Sequence, residues 1–330
     1  MAARLRSVSL VSRGDVLGFA TMLLVLCAIG FAVTDSTVLS LVTIALVWLS
    51  VNSAWNLVLG FAGVFSFGQI AFFAVGAYST AIVASHLGLG PVVSTVTGAL
   101  GGAVAAFVIG LATLRLRGVY VALVTLAFHE LLRTMVSTDY STVTGGPNGL
   151  TVPRYLLGAP LLMQARLDYF IAWGVLAFTG FVLLILLRSP FGLALVASRD
   201  AEHVASARGV SRRRYQISAF VLSGGIAGLA GGFYAHYVGV VAPTIISFAL
   251  VMNLFAMIVV GGLGTFWGPV FGTALITALT TYLQGISPQY QSLIVAVVLL
   301  TMILFLPKGI VGLARYGVSP PTFGRIKPAI

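Results

Sequence analysis

The stretch RDAEHVASARGVSRRRYQ, Arg199 to Gln216, concentrates charge in a chain that otherwise avoids it. Two of the seven acidic residues, Asp200 and Glu202, fall here, with five arginines: Arg199, Arg208, Arg212, Arg213 and Arg214. Around it the 330 residues are 59% hydrophobic and only 8% charged, whereas soluble domains carry about 25% charged residues. Apolar runs near the ~20 residues needed to cross a bilayer recur along the chain. These observations predict an all-α, polytopic transmembrane bundle and leave no room for a soluble domain.

Ten spans are expected: 16–33, 37–58, 69–87, 92–114, 118–136, 167–187, 216–237, 248–262, 268–286 and 291–306. Loops facing the cytoplasm hold the Lys and Arg of a membrane protein. Threaded from a cytoplasmic N-terminus, fifteen of the eighteen basic residues fall inside. They are Arg4, Arg6 and Arg13; Arg115 and Arg117; six arginines from Arg188 to Arg214; and Lys308, Arg315, Arg325 and Lys327. Only Arg154 and Arg166 fall outside, and Arg133 lies within a span. Both termini and the charged stretch are therefore expected in the cytoplasm. The net charge of +11 reads as topology, not as affinity for nucleic acid. The domain plan is a cytoplasmic tail over 1–15, a membrane domain over 16–312 with a cytoplasmic loop at 188–214, and a second tail over 313–330. The basic start followed by an apolar run has the outline of a signal peptide, but without a small-residue cleavage site it reads as an uncleaved first helix. Cys27 is the single cysteine, which excludes an intrachain disulfide.

Within the charged stretch, Ser198 reads as an N-cap. Asp200 and Glu202 add negative charge to a first turn, and Arg208 adds positive charge to a last turn. Gly209 reads as the residue that ends the helix. A short polar helix follows, too short to cross the membrane, with Glu202, Ser206 and Gly209 on one small face beside Ala205. A solvated loop that only orients the protein is the competing reading, since arginines alone would serve it.

Two segments interrupt the helical pattern with glycine. One is GFAGVFSFGQIAFFAVGAY (60–78), with Gly60, Gly63, Gly68 and Gly76; the other is GGLGTFWGPVFG (261–272). Their similar glycine spacing hints at an internal duplication. The glycines either let helices pack closely or break helices near the midplane, where irregular backbone must be buried or line a watery path. Ser66 and Gln69 add polar side chains that such a path would use. Glu130, the one carboxylate well inside a span, lies three residues before Arg133, giving either a functional intramembrane pair or a structural one. The outside loop carries TVTGGPNGL, in which Gly145, Gly146, Pro147, Asn148 and Gly149 form a pre-bent turn.

No G-x-x-x-x-G-K-[ST] phosphate loop and no H-E-x-x-H motif occurs, and the four histidines are scattered. The chain is therefore expected to be no enzyme, to hold no metal or cofactor, and not to hydrolyse nucleotide itself.

These residues together resemble a known family. RDAEHVASARGV is similar to the coupling-loop segment of ATP-binding-cassette importer permeases. NLVLGFAGVFSFGQIAFFAVGAY (56–78), LRLRGVYVALVTLAFHELLR (114–133), TGGPNGL (144–150), SAFVLSGGIAGLAGGFYAH (218–236) and VVGGLGTFWGPVFGTAL (259–275) follow in the order found in the branched-chain amino acid permease family. The resemblance covers about residues 40–312 and is to the LivM-type subunit, the larger of two related membrane subunits. His129 departs from it, standing where a small or neutral residue is more usual.

The resemblance implies a binding-protein-dependent importer of the bacterial inner membrane, working by alternating access. Its partners would be a second homologous permease subunit in a heterodimer, two cytoplasmic ATP-binding subunits that use the ATP, an extracytoplasmic solute-binding protein and membrane lipid. Arg199, Asp200, Glu202, Ala205, Ser206 and Gly209 would couple to the ATPases. Gly63, Ser66, Gly68, Gln69, Glu130 and Arg133 would belong to the translocation pathway. Branched-chain amino acids are the implied solute, with urea, short amides or another small solute as alternatives. A stand-alone secondary transporter is the competing class, but it should place more ionisable groups at the midplane than Glu130 alone.

Overall fold

The computed structural model describes residues 10–139, 143–156, 158, 160–286, 290–306 and 309–316. Most of both expected tails, with Arg4, Arg6, Arg325 and Lys327, lies outside the described residues, as does Lys308 of the membrane domain. The helices in chain order are α1 (Arg13–Ala32), α2 (Ser36–Asn56), α3 (Gln69–His86), α4 (Pro91–Thr113), α5 (Val119–Thr138), α6 (Leu161–Arg188), α7 (Pro190–Asp200), α8 (Glu202–Ala207), α9 (Arg212–Val238), α10 (Phe248–Gly261), α11 (Gly268–Ile286), α12 (Gln291–Phe305) and α13 (Gly309–Tyr316). Two residue pairs, β1 (Leu150–Thr151) and β2 (Val240–Val241), form a small antiparallel ladder.

The chain is an all-α polytopic membrane protein. Six helices are long and apolar enough to span a bilayer: α1, α2 with the turn that extends it, α4, α5, α6 and α9. Each of the ten expected spans has a helix in its place. The largest shift is in α6, which begins six residues before the expected 167.

Local chemistry sets the ends. Ser12 and Asp15 form a reciprocal capping box that starts α1. The Asp35 and Ser189 side chains accept backbone N–H groups at the starts of α2 and α7, and Pro91 and Pro190 sit where a first turn tolerates proline. Helix α9 ends at Gly239 with φ +82°.

Of these six, α2 and α9 are the most enclosed, with more than half of each apolar window buried. Trp55, Phe72, Phe73, Tyr169, Phe220 and Phe233 fill the core around them. Helix α4 crosses α9 through small residues, Gly98, Gly102 and Ala106 against Gly224 and Gly228, so the two backbones approach closely.

The helix ends sort into two groups. At one end, Arg188 donates to the Ser12 carbonyl at 2.8 Å, Trp267 Nε1 to Asp15 at 2.9 Å, and Arg117 lies 3.7 Å from Glu202. At the other, Arg166 Nη2 donates to the Phe31 carbonyl, Arg154 Nη2 to the Val238 carbonyl, and His236 Nδ1 lies 2.7 Å from the Pro153 carbonyl. Of the basic residues expected on one side, Arg117, Arg188 and Arg212 thus share one end of the bundle, and Arg154 and Arg166, both expected on the other side, share the opposite end.

Candidate functional site

The charged stretch folds differently in detail from its expected form. Ser198 is no N-cap; its hydroxyl bonds back to the Leu195 carbonyl inside α7. The helix breaks instead at Ala201 (φ −146°, ψ 66°), and a second helix, α8, covers only Glu202–Ala207. Ser189 caps α7 nine residues upstream of the expected cap. The reason lies in the apolar face of PFGLALVAS, where Gly192, Leu195 and Ser198 are buried, so packing extends the first helix backward past the polar signals.

The expected end of α8 is present. Gly209 adopts φ +81°, its N–H reaches the Ser206 carbonyl at 2.9 Å, and the Val210 N–H reaches the Ala205 carbonyl at 3.0 Å. This is the paired closure that left-handed glycine permits at a helix C-terminus. The residues expected on one small face divide, with Ser206 and Gly209 exposed and Ala205 not. Ala205 is buried at 5% exposure and faces the protein, while His203, Val204, Ser206 and Ala207 face outward. Glu202 is not free either. Its Oε2 accepts from Arg212 Nη1 at 2.6 Å, and its Oε1 lies near Arg117. It ties α8 to the start of α9 and to the turn after α4.

Arg199 leads from this segment into the bundle. Helix α2 runs on into a π-helical turn, Leu57–Phe61, which leaves carbonyls without ordinary helical partners. Arg199 Nη1 donates to the Gly60 carbonyl at 2.6 Å, and its stem lies on Gly63. A cation at a helix C-terminus also meets the negative end of the helix dipole. The other edge of the guanidinium holds Asp200, Nε to Oδ1 at 2.7 Å and Nη2 to Oδ2 at 3.2 Å. These hydrogen bonds keep the Asp200 carboxyl below the ordinary carboxylate range.

The two glycine breaks meet at the same point. The Asn56 amide donates to the Thr265 carbonyl at 2.8 Å and accepts from Gly264 N–H at 2.9 Å. Only a residue without Cβ fits at Gly60, because a Cβ there would strike the Asn56 side chain and the Gly264 backbone. One junction therefore joins the end of α2, the break before α3, the break between α10 and α11, and the end of α7. Asn56, unnoticed in the sequence, is its hinge pin; a polar residue ending an apolar run just before a glycine-rich break was the available signal.

The expected pathway residues divide. Ser66 and Gln69 are both 2% exposed. The Ser66 carbonyl accepts from Trp55 Nε1, its hydroxyl accepts from Gly68 N–H, and Gln69 exchanges hydrogen bonds with Ser223. In this arrangement they hold the break together and line neither of the cavities described below. Glu130 and Arg133 do pair, at 3.1 Å, with side chains 51% and 47% exposed, so they stand on the outside of this chain. His129 instead points inward. It is fully buried, and neither ring nitrogen has a hydrogen-bond partner among the described residues.

The glycine-rich turn expected outside forms. Gly145 is left-handed, residues Gly146–Asn148 make one tight turn, and the following β1 pairs with β2 after α9. The Thr144 hydroxyl donates to Asp139 at 2.6 Å. A cavity of about 310 Å³ lies beside it between α3 and α5, lined by Tyr78, Ser79, Leu132, Val136, Asp139 and Thr144 among others. No group of three or more metal-binding side chains occurs among the described residues.

Comparison with known proteins places these features. Residues 36–306 match the family model described as branched-chain amino acid transport system / permease component. The high-affinity branched-chain amino acid transport system permease protein LivM of Escherichia coli is 30% identical, over 90% of this chain and 75% of that protein. The probable branched-chain amino acid transport permease protein LivH of Methanocaldococcus jannaschii is 25% identical over 75% of this chain and 82% of its own length. The fructose import permease protein FrcC of Rhizobium meliloti is 30% identical over only 35% of this chain and 34% of that protein. No solved structure matches this chain.

Proposed function

The chain belongs to the family of branched-chain amino acid transport system permease components, and from that membership we propose that it is one of two membrane subunits of an ATP-driven importer for branched-chain amino acids. Two ATPase subunits bind and hydrolyse the ATP on the cytoplasmic side, and a binding protein delivers solute at the opposite end. The second permease subunit is a homologue, giving a heterodimer in the inner membrane. This chain supplies no nucleotide-hydrolysing residues and no cofactor site.

All ten long helices cross the membrane in this reading. An even number of crossings puts the start of α1, the 188–214 segment and α13 on one side, a reading supported by the contacts that join Ser12 to Arg188 and Arg117 to Glu202. Positive charge marks that side as cytoplasmic. Urea, amides or a sugar are less well supported as solutes, because relatives named for branched-chain amino acids cover most of the chain and the fructose permease about a third.

The observation that carries the mechanism is Arg199 spanning from α7 to the Gly60 carbonyl. Helices α7 and α8 seat in the ATPase surface through the outward residues His203, Val204, Ser206 and Ala207. ATP-driven closure displaces them, and Arg199 passes the displacement to the Asn56 junction, where two helix breaks give way together. A ligand shifts a conformational equilibrium only by its differential affinity for the two states, so a stiff linkage of this kind is what the machine requires. Glu130 and Arg133 set the other surface. Charged side chains near the middle of a membrane helix avoid lipid, so the exposed face of α5 turns toward the second permease subunit and the pathway.

Affinity purification of the chain from its native membrane tests the proposal. Two ATPase subunits and a homologous permease subunit should co-purify, and the complex reconstituted with its binding protein should accumulate leucine on addition of ATP. Purification as a homo-oligomer that transports without ATP would contradict it.

A further inference from the structure

A second cavity, of about 220 Å³, opens between α2, α10, α11 and the start of α12. One wall is polar without being charged: Asn253 on α10, then Thr277, Thr280, Thr281 and Gln284 along α11, and Gln291 on α12. The facing wall is apolar, formed by Trp48, Leu254 and Met257 among others. The Thr277 hydroxyl is buried yet has no hydrogen-bond partner among the described residues. One turn deeper, Asn52 donates to Thr273 Oγ1 at 3.0 Å and to Met257 Sδ at 3.1 Å, while its carbonyl oxygen is likewise buried and unpartnered. A buried hydroxyl or amide oxygen without a partner is costly in a membrane protein, where the surroundings cannot supply one.

We propose that this cleft is a solute site of the permease, taking a zwitterionic amino acid with an aliphatic side chain. The amides and threonine hydroxyls offer both donors and acceptors to the charged α-groups of a molecule with no net charge, and the absence of lysine, arginine or carboxylate among the described lining residues disfavours a net-charged solute. Trp48, Leu254 and Met257 cover the aliphatic part, Met adapting to branched shapes. Leu41 and Ile44 come from the first half of α2, and Gln284 and Gln291 lie at the far end of α11 and the start of α12. The cleft therefore opens at the end of the bundle opposite Arg199, the end to which a binding protein delivers in the functional reading on which this inference rests.

The test uses the whole transporter in proteoliposomes with its binding protein and labelled L-leucine. Thr277→Val removes the hydroxyl while keeping the shape, Thr277→Ser keeps the hydroxyl, and Thr281→Val removes the next one. Leucine uptake should fall about tenfold in Thr277→Val and in Thr281→Val, and recover in Thr277→Ser. The second permease subunit should be retained in all three. Wild-type rates in both valine variants overturn the cleft and leave the functional reading intact. Loss of the second permease subunit from the valine variants also overturns it, because the threonines would then be seating a partner helix. Absence of leucine uptake by the wild type overturns the functional reading, and the solute assignment with it.

Discussion

At the scale of single residues, Gly60 and Arg199 define the site more sharply than the polar residues that drew notice in the sequence. The Gly60 position has no room for a methyl group, since its neighbours are the Asn56 amide and the Gly264 backbone. Overpacking of this kind costs about 1–3 kcal/mol, so Gly60→Ala should lower the thermal unfolding temperature of the purified chain and slow uptake, while Gly174→Ala, with open space around its Cβ, should change neither. An unaltered melting curve for Gly60→Ala would show that the junction is looser than drawn. Asp200 adds a pH dependence of known sign. Its carboxyl is lowered by Arg199, so its contribution is complete above the ordinary carboxylate value of about 3.9 and is lost only as the pH falls through the lowered value. Uptake near neutral pH should therefore not vary through this group.

At the scale of elements, α8 is held by its two ends and by one ion-pair network. Gly209→Val forces a β-branched residue into left-handed backbone, costing roughly 1–2 kcal/mol, with no steric clash to add, because the Cβ would meet open space. Glu202→Lys removes the partner of Arg212 and places a third cation between Arg212 and Arg117. Both variants should insert at normal levels yet retain less ATPase on purification and take up less leucine; full ATPase retention by both would reduce the segment to an orientation signal. Much of this was legible in the sequence. Helix positions follow from apolar length, and Gly209 follows from the rarity of residues that tolerate positive φ. The split of the expected short helix at Ala201 was not legible, because the decisive force is burial of Leu195 and Ser198 in the folded bundle, which local polar signals do not announce. For the same reason Ser66 and Gln69 looked like pathway residues: polar side chains beside glycines read alike whether they face a cavity or, as here, Trp55 and Ser223.

At the scale of the whole molecule, the two breaks, far apart in sequence, share one junction, and Arg199 connects it to the α7–α8 surface proposed to meet the ATPases. No periodicity or spacing announces a contact between residues 139 positions apart, so the sequence signalled a coupling segment and a broken helix without signalling that they touch. Sidedness is testable separately. In a Cys27→Ser background, an impermeant thiol reagent applied to intact cells should label Thr151→Cys and not Ser211→Cys. The most direct test of the account is the ratio of leucine accumulated to ATP hydrolysed in proteoliposomes holding the complete transporter with Arg199→Ala. Loss of one charge-assisted hydrogen bond, worth about 1.5–3 kcal/mol, should reduce uptake about tenfold or more while the bound ATPases continue to hydrolyse ATP, so the ratio collapses. A ratio equal to that of the wild type would contradict the claim that Arg199 carries the stroke from the coupling helices to the breaks.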